Sequence, residues 1–286
     1  MASDPVISVI VPFHDSATWL DACLHSLTTQ DIDDHLFEII AINNNSTDHS
    51  VAIVRKYPKV ILISETIQGS YAARNTGLRH AKGRIAAFTD ADCVAAHDWL
   101  SRMISAFDDE KISVVLGTRI LTADNIILKL WSLYEKHKEI LILNGNDSSR
   151  FYGHTNNMAV RRSAIEHHGY FHEIERGADT VMVRNIVKNE GVDALRYCQN
   201  TRVTHLEIVS GRSVLAKLFL YGRSSKFYRS MANAQPLTFT QRWDVYRQTI
   251  RDERLSRLQS LLLFAFLLIG MTFWTGGVIS AALSGT

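Results

Sequence analysis

The chain has 286 residues, enough for one large α/β domain or for one domain with an appendage. Its hydrophobic fraction of 46% and charged fraction of 21% are typical of a folded protein, and its net charge of +2 leads us to expect no nucleic-acid partner. Its three cysteines are widely spaced, which argues against a disulfide framework or a cysteine zinc site and favours a reducing compartment.

Strand-like and helix-like patterns alternate through the first 120 residues. The first apolar run is interrupted by Pro12 and has no basic segment before it, so it predicts a strand and not a signal peptide. The predicted strands are residues 7–11, 37–42, 60–63, 85–88 and 113–116. The predicted helices between them are residues 19–27, 51–57, 70–81 and 99–107. This alternation predicts a doubly wound, mainly parallel α/β sheet of Rossmann-like type.

Polar clusters follow three of these strands, at residues 12–15, 43–46 and 89–92. Ligands bind at the carboxyl ends of the strands in such sheets, so these clusters predict a binding site at one edge. Residues 150–206 are less regular and predict a loop, a strand and a helix, then a helix at 178–189 and short strands at 193–198 and 203–205. No linker composition separates them from the first section.

The C-terminal segment has a different composition, because residues 258–286 carry no charge. Its apolar stretch at 261–279 has about the ~20 residues that cross a bilayer core. Five arginines precede it and place the preceding domain in the cytoplasm by the positive-inside rule, namely Arg242, Arg247, Arg251, Arg254 and Arg257. A buried or dimerising helix is the alternative, and Gly270, Gly276 and Gly277 weaken the prediction of a span.

A second segment with membrane character lies at residues 214–228. It mixes leucine and aromatic residues with Lys217, Arg223 and Lys226, a composition typical of a helix at a membrane surface. A core helix whose cations extend to solvent fits the same pattern.

Two constellations point to a phosphorylated ligand. Asp90-Ala91-Asp92 follows a predicted buried strand, and paired carboxylates are ligands for Mg²⁺ or Mn²⁺ that bridges substrate phosphates, although a surface turn has the same composition. Arg74 lies in the segment 69–77, which opens a predicted helix where backbone N–H groups favour an anion. A capped surface helix with a solvated arginine is the alternative for that segment.

The order of these motifs, ISVIVPFHD, INNNSTD and GSYAARNTGLRHAKGRIAAFTDADC, resembles the inverting family 2 glycosyltransferases of GT-A fold. The resemblance covers about residues 6–107 and continues more weakly to about 206. It implies a nucleoside diphosphate-sugar donor, for which we favour UDP-sugars, and a divalent metal, Mn²⁺ or Mg²⁺. The donor-binding residues that it implies are Pro12, His14, Asn43, Asn44, Arg74, Asp90 and Ala91, and the metal ligand is Asp92. Asn43 and Asn44 replace the usual acidic turn, which leaves the nucleotide base open.

The resemblance also implies a general base at Asp179, because family members carry an acidic residue there that takes the proton of the acceptor hydroxyl. Ala178 replaces the usual acidic partner, Asp179 as a helix N-cap is the alternative, and Glu173 and Glu175 are the fallback candidates for the base. His205 is a candidate second metal ligand or a structural histidine. His154 and Asn156 are expected to contact the acceptor.

Together these features predict a metal-dependent inverting glycosyltransferase at the inner membrane, with its catalytic domain facing the cytoplasm and in contact with membrane lipids. The expected acceptor is a lipid-linked or membrane glycan in surface polysaccharide or glycolipid synthesis. We expect a GT-A catalytic domain at 1–210, with a nucleotide-binding half at about 1–120 and an acceptor half at about 121–210. Basic surface helices are expected at 211–257 and a membrane helix at 258–286.

Two alternatives belong to other functional classes. A nucleotide-sugar-binding protein that has lost catalysis fits the departures at Asn43, Asn44 and Ala178. A dehydrogenase or nucleotidyltransferase fits the α/β pattern, but the first strand-to-helix turn contains neither GxGxxG nor GxxxxGK.

Overall fold

The computed structural model describes residues 4–121, 125–208, 210–233 and 235–284. The side chains of residues 226–230, 232 and 284 lie outside the described part. The predictions for Lys226 at a membrane surface and for the last two residues of the membrane helix therefore lie outside the described residues. The chain forms two compact units, Met1–Ile120 with Tyr152–Leu206 and Leu121–Phe151 with Glu207–Thr286. The division of the first 210 residues into nucleotide and acceptor halves stays a prediction.

Strands and helices are numbered along the chain. The strands are β1 (Ile7–Phe13), β2 (Phe37–Asn43), β3 (Val60–Ser64), β4 (Ile85–Phe88), β5 (Cys93–Ala95), β6 (Val114–Leu121), β7 (Met158–Arg161) and β8 (Leu195–His205). The helices are α1 (Leu20–Thr28), α2 (Ser50–Val54), α3 (Ser70–His80), α4 (Trp99–Ser105), α5 (Ile126–Leu143), α6 (Arg162–His168), α7 (Ala178–Glu190), α8 (Gly211–Ala232), α9 (Phe239–Asp252) and α10 (Arg257–Ser284).

Within the described residues, eight strands form one sheet in the order β3-β2-β1-β4-β7-β6-β8-β5. The first four of these are parallel, and β1 lies between β2 and β4, with Ile7 aligned to Phe37 of β2 and to Ile85 of β4. The next strands join antiparallel, β7 to β4 and β6 to β7, and β5 is antiparallel to β8. The α/β class that the alternating pattern predicts is therefore confirmed.

Both faces of β1 are buried, as its mainly apolar sequence predicts. On one face, Val9 and Val11 belong to a core that includes Leu24 of α1 and Trp99 of α4. On the other face α3 comes so close that a methyl group on Gly77 would lie 2.7 Å from Cγ2 of Ile10. Helices therefore cover both sides of the sheet, as in other doubly wound folds.

The structure differs from the sequence predictions in the later strands. The strand β5 has three residues, too few for a periodic pattern, and it forms because it pairs with β8. The two short strands predicted at 193–198 and 203–205 are one strand, β8. The helix α5 was not predicted, and α9 lies inside the segment 211–257, where basic helices were expected without individual bounds.

The second unit contains α5, α8, α9 and α10. Its apolar helix α10 confirms the predicted helical C-terminus, and among the residues that the structure describes it alone is long and apolar enough to cross a membrane. At its N-terminal end, Leu263 packs with Leu130 and Tyr134 of α5 and with Val245 of α9. The hydroxyl of Tyr246 donates to the carbonyl of Ser260, 3.0 Å away. The start of α10 is therefore fixed against the neighbouring helices of this unit.

Glycines bring α8 and α10 into direct backbone contact. A methyl group on Gly222 would lie 2.0 Å from the carbonyl oxygen of Trp274, and one on Gly277 would lie 2.0 Å from that of Phe219. Glycine at these positions lets two helices approach more closely than any side chain permits.

Gly276 and Gly277 are neighbours that differ in this packing, and they offer a matched test. A methyl group on Gly276 would meet only the ring of Phe219, at an ordinary distance of 3.7 Å. We expect Gly277→Ala to destabilise the protein by about 1–3 kcal/mol because the two backbones must separate. Gly276→Ala should be neutral or stabilise α10 by up to about 1 kcal/mol through helix propensity. Thermal unfolding of the detergent-solubilised chain measures both, and equal shifts in the two variants would contradict the helix contact.

Candidate active site

The turns after β1 and β2 are held together by one aspartate. Asp15 adopts a left-handed conformation with φ of 46°, and its carboxylate accepts hydrogen bonds from the backbone N–H groups of Thr47 and Asp48 at 2.7 and 3.2 Å. The bond from Thr47 is the main cause that holds the pKa of Asp15 below its ordinary value. His14 Nδ1 lies 2.8 Å from the carbonyl oxygen of Asn44. The two turns thus form one rim.

The predicted donor residues on this rim occupy different environments. Pro12 is buried inside β1, where it aligns with Ile42, and does not lie in the following turn. The side chain of Asn43 accepts a hydrogen bond from the backbone N–H of Ser46 at 3.0 Å. His14 is half exposed at the rim. Their contacts with a donor stay predictions.

Asn44 is buried and bonds to the loop that leads into α3. Its amide nitrogen donates to the carbonyl oxygens of Glu65 and Ile67 at 3.0 and 2.7 Å, and its amide oxygen accepts from the backbone N–H of Gly69 at 2.8 Å. Because these three bonds occupy the amide, Asn44 shapes the loop, and any effect of its side chain on a ligand acts through that loop.

Arg74 is buried on α3 and pairs with the first carboxylate of the acidic motif. Its Nη2 donates to Oδ1 of Asp90, and its guanidinium lies over the ring of Tyr71 with the central carbon 5.3 Å from the ring centroid. Its Nε is buried and has no hydrogen-bond partner within the described residues. Arg74 and Asp90, which belong to separate motifs in the sequence, are thus in direct contact. This ion pair joins α3 to the end of β4.

The two aspartates of the acidic motif point to different partners. Asp92 Oδ2 lies 3.4 Å from Nε2 of His205. This contact exists because β5 pairs with β8 and aligns Cys93 with His205, while the backbone N–H of Leu206 donates to the carbonyl of Asp92 at 2.8 Å. Ala91, between the aspartates, is buried. Asp90 thus pairs with Arg74, and Asp92 lies beside His205.

Asp92, Cys93 and His205 are close enough to share an ion, since their ligand atoms lie within 4.8 Å of one another. Burial raises the pKa of the Cys93 thiol well above its ordinary value, and sulfur is a soft ligand, whereas Mg²⁺ and Mn²⁺ prefer oxygen and nitrogen. A carboxylate and an imidazole remain, and both are suitable ligands for a divalent metal. The donor set therefore fits Mn²⁺ or Mg²⁺ with Asp92 and His205 as protein ligands.

Asp179 lies in the first turn of α7, and its carboxylate is fixed by three neighbours. Oδ1 accepts from the backbone N–H of Thr180 at 2.8 Å, Oδ2 from that of Thr155 at 3.3 Å, and the hydroxyl of Tyr71 also hydrogen-bonds to it. The N-cap of α7 is Gly177, so the alternative that Asp179 is the N-cap is wrong.

Burial raises the pKa of Asp179 above its ordinary value, against the opposing effects of the Thr180 backbone and of Arg74. A raised pKa is the property that a carboxylate needs to accept a proton efficiently near neutral pH. Because Arg74 interacts with both Asp179 and Asp90, the candidate base and the acidic motif belong to one network.

The segment that contains the candidate acceptor residues lies against Asp179. Gly153 is required there, because a methyl group on it would lie 2.6 Å from the carbonyl oxygen of Asp179. His154 is buried with Nε2 2.9 Å from the carbonyl oxygen of Gly117, and the carbonyl of Asn156 accepts from the hydroxyl of Thr89 at 3.1 Å. The acceptor contacts of His154 and Asn156 stay predictions. The fallback bases Glu173 and Glu175 are both exposed.

Two residues of this region were missed from the sequence. Asn157 is fully buried and accepts from the indole of Trp99 at 2.9 Å while it donates to the carbonyls of Thr118 and Thr201. Tyr71 accepts from the backbone N–H of Gly177 at 3.2 Å, in addition to its bond with Asp179. No local pattern marks Asn157, whereas Tyr71 lies inside the quoted GSYAARN motif.

The sequence profile described as Glycosyl transferase family 2 matches residues 8–169, which is more than half of the chain. The chain belongs to glycosyl transferase family 2. Glycosyltransferase AglE of Haloferax volcanii is 35% identical over 126 residues, 42% of this chain and 41% of that protein. Putative glycosyltransferase EpsH of Bacillus subtilis is 30% identical over 174 residues, 57% of this chain and 49% of that protein. The family 2 chain thus spans less than half the length of these two relatives.

Solved structures show the GT-A fold. A mannosyltransferase from Pyrobaculum calidifontis, in complex with GDP-Man and Mn²⁺, has a TM-score of 0.68 at 19% identity, and the match covers 98% of this chain and 87% of that one. Residues 1–349 of TarS from Staphylococcus aureus, in complex with UDP, have a TM-score of 0.56 at 17% identity, with 97% and 91% covered. The predicted family and GT-A fold are both confirmed.

The role of Asn44 in the rim can be tested by stability. Its three buried hydrogen bonds lead us to expect that Asn44→Ala lowers the free energy of unfolding by about 2–3 kcal/mol. The control is Asn43→Ala, which removes the bond from Ser46 and should cost about 1 kcal/mol. Urea denaturation followed by tryptophan fluorescence measures both, and an Asn44 variant as stable as the Asn43 variant would show that the loop does not depend on Asn44.

Proposed function

We propose that this family 2 chain transfers a sugar from a nucleoside diphosphate-sugar to an acceptor hydroxyl with inversion at the anomeric carbon. The observation that carries the proposal is the network in which Arg74 interacts with both Asp90 and Asp179, at the edge where Asp92 meets His205. In the proposal, one bound substrate therefore contacts the residues that bind the donor, the metal ligands and the general base. The family supports the reaction class.

The donor is held at the ends of β1, β2 and β4. In the proposal, Pro12, His14 and Asn43 line the nucleotide pocket, and Asn44 supports it through the loop before α3. Arg74, Asp90 and Ala91 face the diphosphate and the sugar. A structural neighbour binds GDP-Man, and TarS has been solved with UDP and with UDP-GlcNAc. These neighbours support a nucleotide-sugar donor, and we favour UDP-sugars among them.

Asp92 and His205 hold the divalent metal, Mn²⁺ or Mg²⁺. The metal, when bound, neutralises charge on the diphosphate. Arg74 adds a fixed positive charge at the same place, in a buried position where an ion pair is weakly screened. The Mn²⁺ of the Pyrobaculum calidifontis structure supports the use of a divalent ion.

Asp179 acts as the general base. It takes the proton of the acceptor hydroxyl while the hydroxyl oxygen forms a bond to the anomeric carbon, and the bond from that carbon to the diphosphate oxygen breaks on the opposite face. The nucleoside diphosphate leaves with the electron pair. The backbone N–H groups of Thr155 and Thr180 and the hydroxyl of Tyr71 fix the carboxylate for this step.

The acceptor is proposed to be a lipid-linked or membrane glycan, with His154 and Asn156 beside it and the catalytic domain at the cytoplasmic face of the inner membrane. The long apolar helix α10 and the arginines before it support membrane attachment. TarS is, by its name, a poly(ribitol-phosphate) beta-N-acetylglucosaminyltransferase, which supports a role in polysaccharide synthesis.

The base assignment predicts that Asp179→Asn abolishes transfer but not donor binding. An amide cannot accept the proton, so we expect the turnover rate to fall by about 10²–10⁴-fold. Release of nucleoside diphosphate from UDP-glucose, UDP-GlcNAc and GDP-mannose, with membrane extract as acceptor, measures the rate. The control is Glu173→Gln, which should keep activity because Glu173 is exposed and bonds to Asn75 instead.

The same assignment fixes the pH dependence. Because burial raises the pKa of Asp179, wild-type kcat/KM should fall as the pH decreases through a value above the ordinary pKa of aspartate. The residual activity of Asp179→Asn should lack this acidic limb. Undiminished sugar transfer by Asp179→Asn would show that another residue is the general base. Donor binding without turnover of any of the three sugars, in wild type as in the variant, would favour the alternative of a binding protein.

The metal assignment predicts that nucleotide binding requires Mn²⁺ and that this requirement depends on both Asp92 and His205. Calorimetric titration with UDP, GDP and dTDP, each with and without Mn²⁺, should show one preferred nucleotide whose binding requires the ion. Asp92→Ala and His205→Ala should each remove the Mn²⁺ dependence, since each removes one ligand. The control is Asp34→Ala, in the short helical turn just before β2, at the opposite end of that strand from the rim. Mn²⁺-dependent binding that persists in both variants would contradict the site.

A further inference from the structure

The helices α8 and α10 run side by side in the same direction. The ring of Phe266 lies near Gly211, Gly270 lies near the side chain of Leu218, and Gly277 lies against Phe219 and Arg223. Because the partner residues rise together along the two helices, the pair is parallel and extends from about Phe266 to Gly277. This stretch contains the middle and the C-terminal half of the apolar segment 261–279.

The helix α8 is therefore beside the part of α10 that would lie in the bilayer if α10 crossed it, and α8 is charged. Arg212 follows the residue that meets Phe266, and Arg223 lies against Gly277; both side chains are exposed. Lys217, next to the residue that meets Gly270, pairs with Glu207 at 2.6 Å.

An ion pair and two arginines at these levels do not fit a spanning helix. Charged side chains inside the hydrocarbon are costly, and arginine or lysine avoids the cost only near an interface, where its head group reaches water. Separation of α8 from α10 would cost free energy, because the glycines place the backbones of the two helices in direct contact. Insertion of α10 across the bilayer would therefore carry the charges of α8 into the apolar layer.

The side of α10 away from its packed residues is nevertheless apolar and exposed. The packed residues recur at Leu263, Phe266, Gly270 and Gly277, whereas Leu261, Leu268, Ile269, Ile279 and Leu283 are each more than 40% exposed. This pattern is typical of a helix that lies along an interface, with one face on protein and the other in lipid.

We propose that α10 does not cross the membrane and that the α8–α10 pair lies along one leaflet, with the apolar face of α10 in the acyl region. The occupant of that face is an anionic lipid surface, because Arg212 and Arg223 are exposed on the helix packed beside it and complement the negative head groups. The inference rests on the membrane attachment in the proposed function and adds its topology. Both ends of α10 then stay on the side of the catalytic domain.

Sided cysteine labelling of the full chain tests this topology. Cys198→Ser removes the half-buried native thiol, while Cys23 and Cys93 are buried and remain. Ala282→Cys, exposed near the end of α10 and outside its lipid-facing residues, then reports on that end, and Lys188→Cys, exposed at the end of α7, reports on the catalytic domain. Each is expressed in a bacterial host and treated with a membrane-impermeant maleimide, in spheroplasts and in inverted membrane vesicles.

We expect both cysteines to react in inverted vesicles and neither to react in spheroplasts until detergent is added. Labelling of Ala282→Cys in spheroplasts, with Lys188→Cys labelled in inverted vesicles, would show a spanning helix and overturn the inference, but it would leave membrane attachment intact. Reaction of Ala282→Cys only after detergent in both preparations would also overturn the surface position. A chain that does not sediment with membranes would overturn this inference and the attachment on which it rests, while the transfer assay judges the catalytic proposal separately.

Flotation with vesicles tests the lipid partner. Arg212→Gln and Arg223→Gln should each weaken binding to vesicles with phosphatidylglycerol by roughly fivefold, and should leave binding to pure phosphatidylcholine vesicles unchanged. Lys188→Gln, an exposed cation of the catalytic domain, is the control and should not alter binding. Equal binding of wild type and both arginine variants to phosphatidylglycerol would contradict the anionic surface.

Discussion

The buried guanidinium of Arg74 is the constraint around which the candidate site is arranged. A buried cation is costly unless carboxylates compensate it, and here Asp90 pairs with it directly while Asp179 interacts with it through the interior. One side chain on α3 thereby fixes the end of β4 and the start of α7, which are far apart in the chain. The residue that the proposal assigns to the leaving group thus also positions the acidic motif and the base.

A second constraint is the antiparallel pairing of β5 with β8. It has only three residues, yet it sets His205 opposite Cys93 and so brings an imidazole to Asp92. The two constraints act on Asp90 and Asp92 separately and direct the first carboxylate to the arginine and the second to the histidine. This explains how two carboxylates separated by one alanine can serve the donor and a metal without competing for the same partner.

The parts of the fold that sequence reasoning could predict are those with local patterns. β1 and β4 are mainly apolar, and α3 follows a glycine, so their positions were predicted within a few residues. The strand β5 and the buried amide of Asn157 could not be predicted, because each is defined by partners that are distant in the sequence, 39 or more residues away for Asn157. The pairing of Arg74 with Asp90 spans only 16 residues, but it depends on how α3 packs beside the end of β4, which no local pattern shows.

The C-terminal helix shows how tertiary contacts change the meaning of a sequence signal. In the sequence, Gly270, Gly276 and Gly277 count as weak points in an apolar span, because glycine lowers helix propensity. In the structure, Gly277 packs directly against α8, so the cations of α8 must enter the same environment as α10. Length and apolarity describe what α10 could do alone, whereas the helix attached to it determines how deep it can enter a bilayer. A membrane helix that carries a charged partner is therefore best placed at the interface, where its apolar face is in lipid and the partner's charges reach water.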